Sequence, residues 1–163
     1  MDLMSTAQLL GNFGEFLGAI AVVATLGYLS RQIRSSNKAQ RTATQHDILT
    51  EFRSDMRCVL TDDELYEGFR RFSLGEDMDR AARFKVSLHI GNEFRIYEEL
   101  YLAYLDGNVS EDLWSARMRT LQTFYLSRPL TQRWWRNTGT TVASKPFADL
   151  VEGLIGEATD QPA

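Results

Sequence analysis

"GEFLGAIAVVATLGYLSRQIR", residues 14–34, is almost uncharged between its first acid and its closing arginines. It opens on an acid among small residues and ends in arginines. From Leu9 to Ser30 the only formal charge is Glu15, and Phe16 to Ser30 carries none. A helix needs roughly 20 mostly apolar residues to span a bilayer, within a range of about 17–25. Leu9–Ser30 meets that length if Glu15 sits near one interface. A core helix of a soluble protein shows a polar stripe, which is almost absent here. A cleaved signal peptide places its positive charge ahead of the apolar run. Here Asp2 comes first and the arginines come after. The expectation is a retained transmembrane helix over 9–30, preceded by a short external tail, 1–8.

The flanks set the orientation. No Lys or Arg precedes the run, whereas Arg31, Arg34, Lys38 and Arg41 follow it, with no acid until Asp47. The positive-inside rule then expects the N-terminus outside and everything from Arg31 onward in the cytoplasm. Phe13 and Tyr28 fit interfacial positions near the two ends.

Gly11, Gly14, Gly18, Ala21 and Thr25 are spaced three, four, three, four. In lipid, helices associate where small side chains let backbones approach closely. The spacing implies a left-handed crossing. Gly14 and Gly18 also make a small-xxx-small pair, which favours a right-handed one. Glu15 borders this seam. Acids at membrane depth are costly and face protein or water, so Glu15 is read either as a headgroup-level carboxylate in contact with water or as part of a polar ring in an oligomer.

The remaining composition narrows the classes. At 163 residues the chain is long enough for one domain with a core and an appendage. The net charge of −4 argues against a nucleic-acid binder, which needs a concentrated basic surface. The single cysteine, Cys58, cannot form an internal disulfide. It lies in the apolar context "MRCVL" and is expected to be buried.

No proline or glycine interrupts Tyr28 to Glu67. The span is therefore expected to continue as a juxtamembrane rod, 31–60, with Ile48, Phe52, Met56 and Leu60 at helical spacing. Thr61-Asp62-Asp63-Glu64 reads as a capping box that ends one helix and starts another, with Leu65, Phe69 and Phe72 on its apolar side and Gly75 closing it. A longer helix is expected from about Met78 to Leu105, stopped by Asp106-Gly107-Asn108. Its apolar face is read as Phe84, Leu88, Phe94 or Ile96, Tyr97, Leu100, Tyr101 and Tyr104. Ser110 caps the next, lined by Leu113, Trp114, Met118, Leu121 and Tyr125. Pro129 starts a short helix that Gly139 ends. Ser144 and Pro146 start the last, with Phe147, Leu150, Val151, Leu154 and Ile155 inward. The fold class is all-α: an N-terminal transmembrane helix continuing into a cytoplasmic helical domain, 61–158, with a tail, 159–163.

The sequence offers little chemistry. It has no Gly-rich phosphate loop, no CxxC and no GxSxG. Its two histidines exclude a three-histidine metal site within one subunit. His89 and Glu93 stand at i, i+4 with Tyr97 one turn on, a pair able to share a metal, but the paired Glu-x-x-His motifs of a di-iron bundle are missing. His89 is read as structural or as a surface hydrogen-bonder, and His46 as part of the polar rod. Glu98 and Glu99 point to different faces, so they are not a facing acid pair. Glu98 is expected half-buried against Arg70, Arg117 or Arg119. In Arg133-Trp134-Trp135-Arg136, adjacent tryptophans point about 100° apart. One is expected inside, with the other and the arginines forming a candidate partner surface, unless both are partly buried.

"GEFLGAIAVVATLGYLSRQIRSSNKAQR", "FRIYEELYLAYLDGNVSEDLW" and "RWWRN…FADLVEGLI" together cover most of the chain. In this order they resemble an uncharacterised family of small bacterial single-pass membrane proteins with a cytoplasmic helical domain. The resemblance implies the bacterial inner membrane. It implies no activity, and no catalytic residue is carried over. The functional expectation is a non-enzymatic scaffold or accessory subunit, without catalytic residues, cofactor or metal. Its partners are membrane lipid and either a second copy or another membrane protein, with no nucleic acid. The alternative is a homo-oligomeric pore with Glu15 and Thr25 facing a lumen. A third class is a membrane-bound enzyme using His89 and Glu93.

Overall fold

The computed structural model describes the backbone of residues 3–160 and the side chains of residues 14–156. Gly11, Phe13, the external tail 1–8 and the tail 159–163 fall outside the residues whose side chains are described. Among the described residues the chain is all-α, without strands. It divides into two compact units, one up to Arg41 and one from Thr42 onward.

The first unit is a single stretch of helix α1, Leu3–Thr61. Every described side chain from Gly14 to Arg41 is exposed. A Cβ added at Gly14, Gly18 or Gly27 meets nothing within 4 Å. The Thr25 hydroxyl donates to the Ala21 carbonyl at 2.7 Å, so this polar group is satisfied by its own helix. The helix is long and apolar enough to cross a membrane, with a window of mean hydropathy 1.4.

The second unit begins inside what the sequence suggests is a free rod. Here α1 buries Ile48, Phe52, Asp55 and Val59, a four-three-four spacing. Met56 and Leu60, expected in that stripe, are exposed, and so is Cys58. The phase of the face explains all three. Asp55 occupies the inward position three residues after Phe52, and Met56 and Leu60 each lie one residue, about 100°, past an inward one. Cys58 is one residue before Val59.

Helix α2, Asp63–Leu74, starts one residue later than the sequence suggests. Its cap is Asp62, whose carboxylate accepts from the Leu65 N–H at 2.9 Å. Thr61 instead closes α1, its hydroxyl donating to the Arg57 carbonyl. Gly75, at φ 72°, supplies the left-handed turn that ends α2. Gly68 is buried where α2 meets α3, because a Cβ there would stand 2.9 Å from Val86 Cγ2.

Helix α3, Arg80–Leu105, is capped by Asp79 and stops at Asp106-Gly107-Asn108, with Gly107 at φ 70°. It is the central element of the bundle. Val86, His89, Ile90, Glu93, Phe94, Ile96, Tyr97 and Leu100 are buried. Phe84 and Leu88, expected inward, are 66% and 60% exposed. They flank Val86 on the far side of the helix, and the inward row runs 86, 90, 93, 97, 100 instead.

Helix α4, Glu111–Thr120, is capped by Ser110 and runs into π-helical turns over Leu121–Leu126. Helix α5, Pro129–Trp134, opens with its proline at the start and likewise continues into a π-helical stretch, Trp135–Gly139. Gly139 does not end this segment. It stays helical into α6, Thr140–Val142, and is glycine because a Cβ would fall inside the Trp135 indole. Helix α7, Lys145–Asp160, packs Phe147 and Val151 into the core. Trp135 is fully buried, 4.8 Å from the Phe94 ring and edge-on to Phe147 at 6.0 Å. Burying each such side chain stabilises the bundle by about 1.5–3 kcal/mol.

Candidate functional site

The inward row of α1 brings a carboxylate, Asp55, into an apolar seam, and the buried face of α3 brings the His89 imidazole and a second carboxylate, Glu93, to meet it. Asp55, His89 and Glu93 are 6%, 7% and 4% exposed. Each offers one ligand-type atom, and these lie within 4.8 Å of one another. His89 Nδ1 is 3.3 Å from Asp55 Oδ2. The Asn92 amide donates to Asp55 Oδ1 at 2.7 Å. Asp55 Oδ2 itself is buried and makes no directed hydrogen bond.

The surroundings are aromatic. The Phe69 ring stands edge-on to His89 at 5.6 Å, and Phe52 meets Tyr97 edge-on at 5.0 Å. The Arg117 guanidinium lies 4.6 Å over the Phe52 ring, a cation–π contact at the edge of the cluster.

The two carboxyls titrate apart. Burial, and then the nearby Asp55, push Glu93 up from 4.5 to about 8, with the Tyr125 hydroxyl working the other way. For Asp55 burial is the largest influence and raises its pKa. His89, Glu93 and Asn92 around its carboxylate outweigh burial and leave it below its ordinary value. Two acids this close do not both ionise at low cost, so at neutral pH Asp55 holds the charge and Glu93 the proton. Burial raises Tyr97 and Tyr125 well above the usual phenol range, with Glu93 adding to both.

The sequence pairs His89 with Glu93 but does not supply Asp55. The available signal was the phase of α1: an acid at the inward position between Phe52 and Val59. Glu98 is half-buried, as expected, but its partner is not an arginine. It accepts from the Ser144 N–H at 2.7 Å, at the start of α7. Arg70 is instead held by Glu67 and Glu76 on the surface.

Trp135 is inside the core, and Trp134 is half-buried, its indole N–H donating to Ser87 Oγ at 2.7 Å while its ring stacks on Phe94. Arg133 and Arg136 are exposed, and Arg136 reaches Gln132 on its own helix. Of the expected partner surface, the arginines are therefore outward and both indoles are engaged within the bundle. Arg133 and Trp134, with Met78 and Asn137, line a surface groove of about 570 Å³. Glu15, Gly14, Gly18, Ala21 and Thr25 are exposed along α1, as are Arg31, Arg34, Lys38 and Arg41. Compared with protein-family models, curated proteins and solved structures, the chain matches none.

Proposed function

We propose that this chain is a non-enzymatic, membrane-anchored helical protein that self-associates and serves as a scaffold or accessory subunit, with its bundle on the cytoplasmic side of a bacterial inner membrane. One observation carries this reading: from Gly14 to Arg41, α1 leaves every side chain uncovered, including Phe16, Leu17, Ile20, Val22, Val23 and Leu26. A helix with so continuous an exposed apolar surface is poorly suited to water, where large exposed apolar patches mark interaction sites. Hydrocarbon covers it without cost to the backbone, whose hydrogen bonds are internal. The basic residues that follow suit the anionic cytoplasmic leaflet, at about 1 kcal/mol for each cation near the surface.

The test is extraction of native membranes at alkaline pH, followed by sizing of the detergent-solubilised protein. The expected result is retention in the membrane pellet and a protein mass above the 18.6 kDa of one chain. Release into the supernatant contradicts the anchor, and a single-chain mass contradicts self-association.

A further inference from the structure

We propose that Asp55, His89 and Glu93 form a binding site for one divalent transition-metal ion of the Zn2+ type, clamping α1 to α3. The donor set is one imidazole nitrogen and two carboxylate oxygens, a combination that suits zinc and neighbouring first-row ions. The donors come from two helices and converge within 4.8 Å. Metal–ligand bonds of about 2.0–2.2 Å place neighbouring donors of a tetrahedral ion roughly 3.3–3.6 Å apart. Occupancy therefore requires the donors to draw together by about 1 Å from the 4.8 Å limit of the cluster.

An independent observation points to a ligand. Asp55 Oδ2 is buried, in a side chain only 5% exposed, and although His89 Nδ1 stands 3.3 Å away, no hydrogen bond of good geometry satisfies it. Buried carboxylate oxygens in native proteins are almost always satisfied. The other oxygen, Oδ1, is held by Asn92, which fixes the plane of the carboxylate and aims Oδ2 towards His89 Nδ1. Carboxylates that ligate metals are held in orientation by hydrogen bonds of this kind. The Phe69 ring packs against the imidazole at 5.6 Å, nearly perpendicular to it. Charge agrees as well, because a divalent cation between two carboxylates neutralises a pair that is otherwise costly to bury. All three residues are at most 7% exposed, so the ion would be enclosed by the core, with three protein ligands and the fourth position left to a small ligand such as water.

The experiment uses the full chain in detergent, stripped with a chelator and titrated separately with Zn2+ and Mn2+. The expected result is one Zn2+ per chain, a higher unfolding temperature on loading, and weaker binding of Mn2+. Glu93→Gln and His89→Gln are expected to lower Zn2+ affinity by roughly 10-fold or more, with helical circular dichroism retained, while His46→Gln leaves it unchanged. Failure of the wild type to bind either ion overturns the proposal. So does full affinity in both ligand variants, or loss in His46→Gln. Should the ligand variants not fold, X-ray absorption at the zinc edge of the loaded wild type decides. One imidazole with oxygen donors supports the site. Sulfur, which only Cys58 or a methionine could supply, or two imidazoles, overturns it.

Discussion

The Asn92 amide donates to Asp55 Oδ1 at 2.7 Å, a hydrogen bond that ties α3 to the end of α1. Asp55 is buried and carries the charge of the cluster, so this bond is charge-assisted. Asn92→Ala removes the hydrogen bond to Oδ1 and leaves the buried carboxylate only its contacts with His89 and Glu93. The expected loss is about 1.5–3 kcal/mol, measured by denaturant unfolding of the full chain. A loss below about 0.5 kcal/mol contradicts the role assigned to the bond.

The titration of Glu93 predicts an alkaline loss of stability in the metal-free protein. Its folded pKa is raised from 4.5 to about 8, chiefly by burial and then by Asp55. A carboxyl raised in the folded state contributes fully below its unfolded pKa, and the contribution is lost as pH rises through the folded value. The window therefore runs from about 4.5 to about 8. With chelator present, the melting temperature of the wild type should fall relative to Glu93→Gln across this window. Curves that stay parallel between pH 5 and 9 contradict the assignment of the proton to Glu93.

Gly139 and Trp135 make a packing prediction. A Cβ at Gly139 would enter the indole of a fully buried tryptophan, whereas one at Gly153 meets nothing within 4 Å. Gly139→Ala should destabilise by about 1–3 kcal/mol as the core is overpacked. Gly153→Ala, in the middle of α7, should stabilise by roughly 0.5–1 kcal/mol through helix propensity. Thermal melts of both variants check the contrast. Equal effects of the same sign would show that the close approach of Gly139 to Trp135 does not matter.

The seam has a clean test because Gly18 is unhindered within a single chain. Gly18→Leu disturbs nothing in the described fold, so any effect reports on contact between helices. It should lower the oligomer fraction in bilayers, while Val23→Leu, on nearly the opposite side of the helix, should do much less. Equal loss in both, or none in either, removes the seam. Ion flux in liposomes that disappears in Glu15→Gln would favour a pore instead.

The elements legible in the sequence were those with local chemistry. Ser110, Pro129, Gly75 and Asp106-Gly107-Asn108 mark their boundaries through caps and turns whose cause lies within a few residues. The long α1 was legible because nothing interrupts it. The faces were harder. Phe84, Leu88, Met56 and Leu60 are apolar at helical spacing and still point outward, because the partner helix decides which of two possible stripes is covered. Asp55 was hidden for the same reason: an acid looks solvated until the phase of its helix is fixed by Phe52 and Val59. The π-helical stretches, Leu121–Leu126 and Trp135–Gly139, with backbone hydrogen bonds reaching five residues back instead of four, were not read from the apolar spacing of those segments.

Cysteine labelling of intact cells tests whether the chain crosses the membrane once, with its N-terminus outside and its bundle inside. The exposed Cys58 is first replaced in Cys58→Ser. Thr6→Cys and Ser36→Cys are then introduced one at a time and treated with a membrane-impermeant thiol reagent from the periplasmic side. Position 6 is expected to react, and position 36 to stay protected until the membrane is permeabilised. The reverse pattern contradicts the orientation, and equal reaction at both positions in intact cells contradicts the span itself.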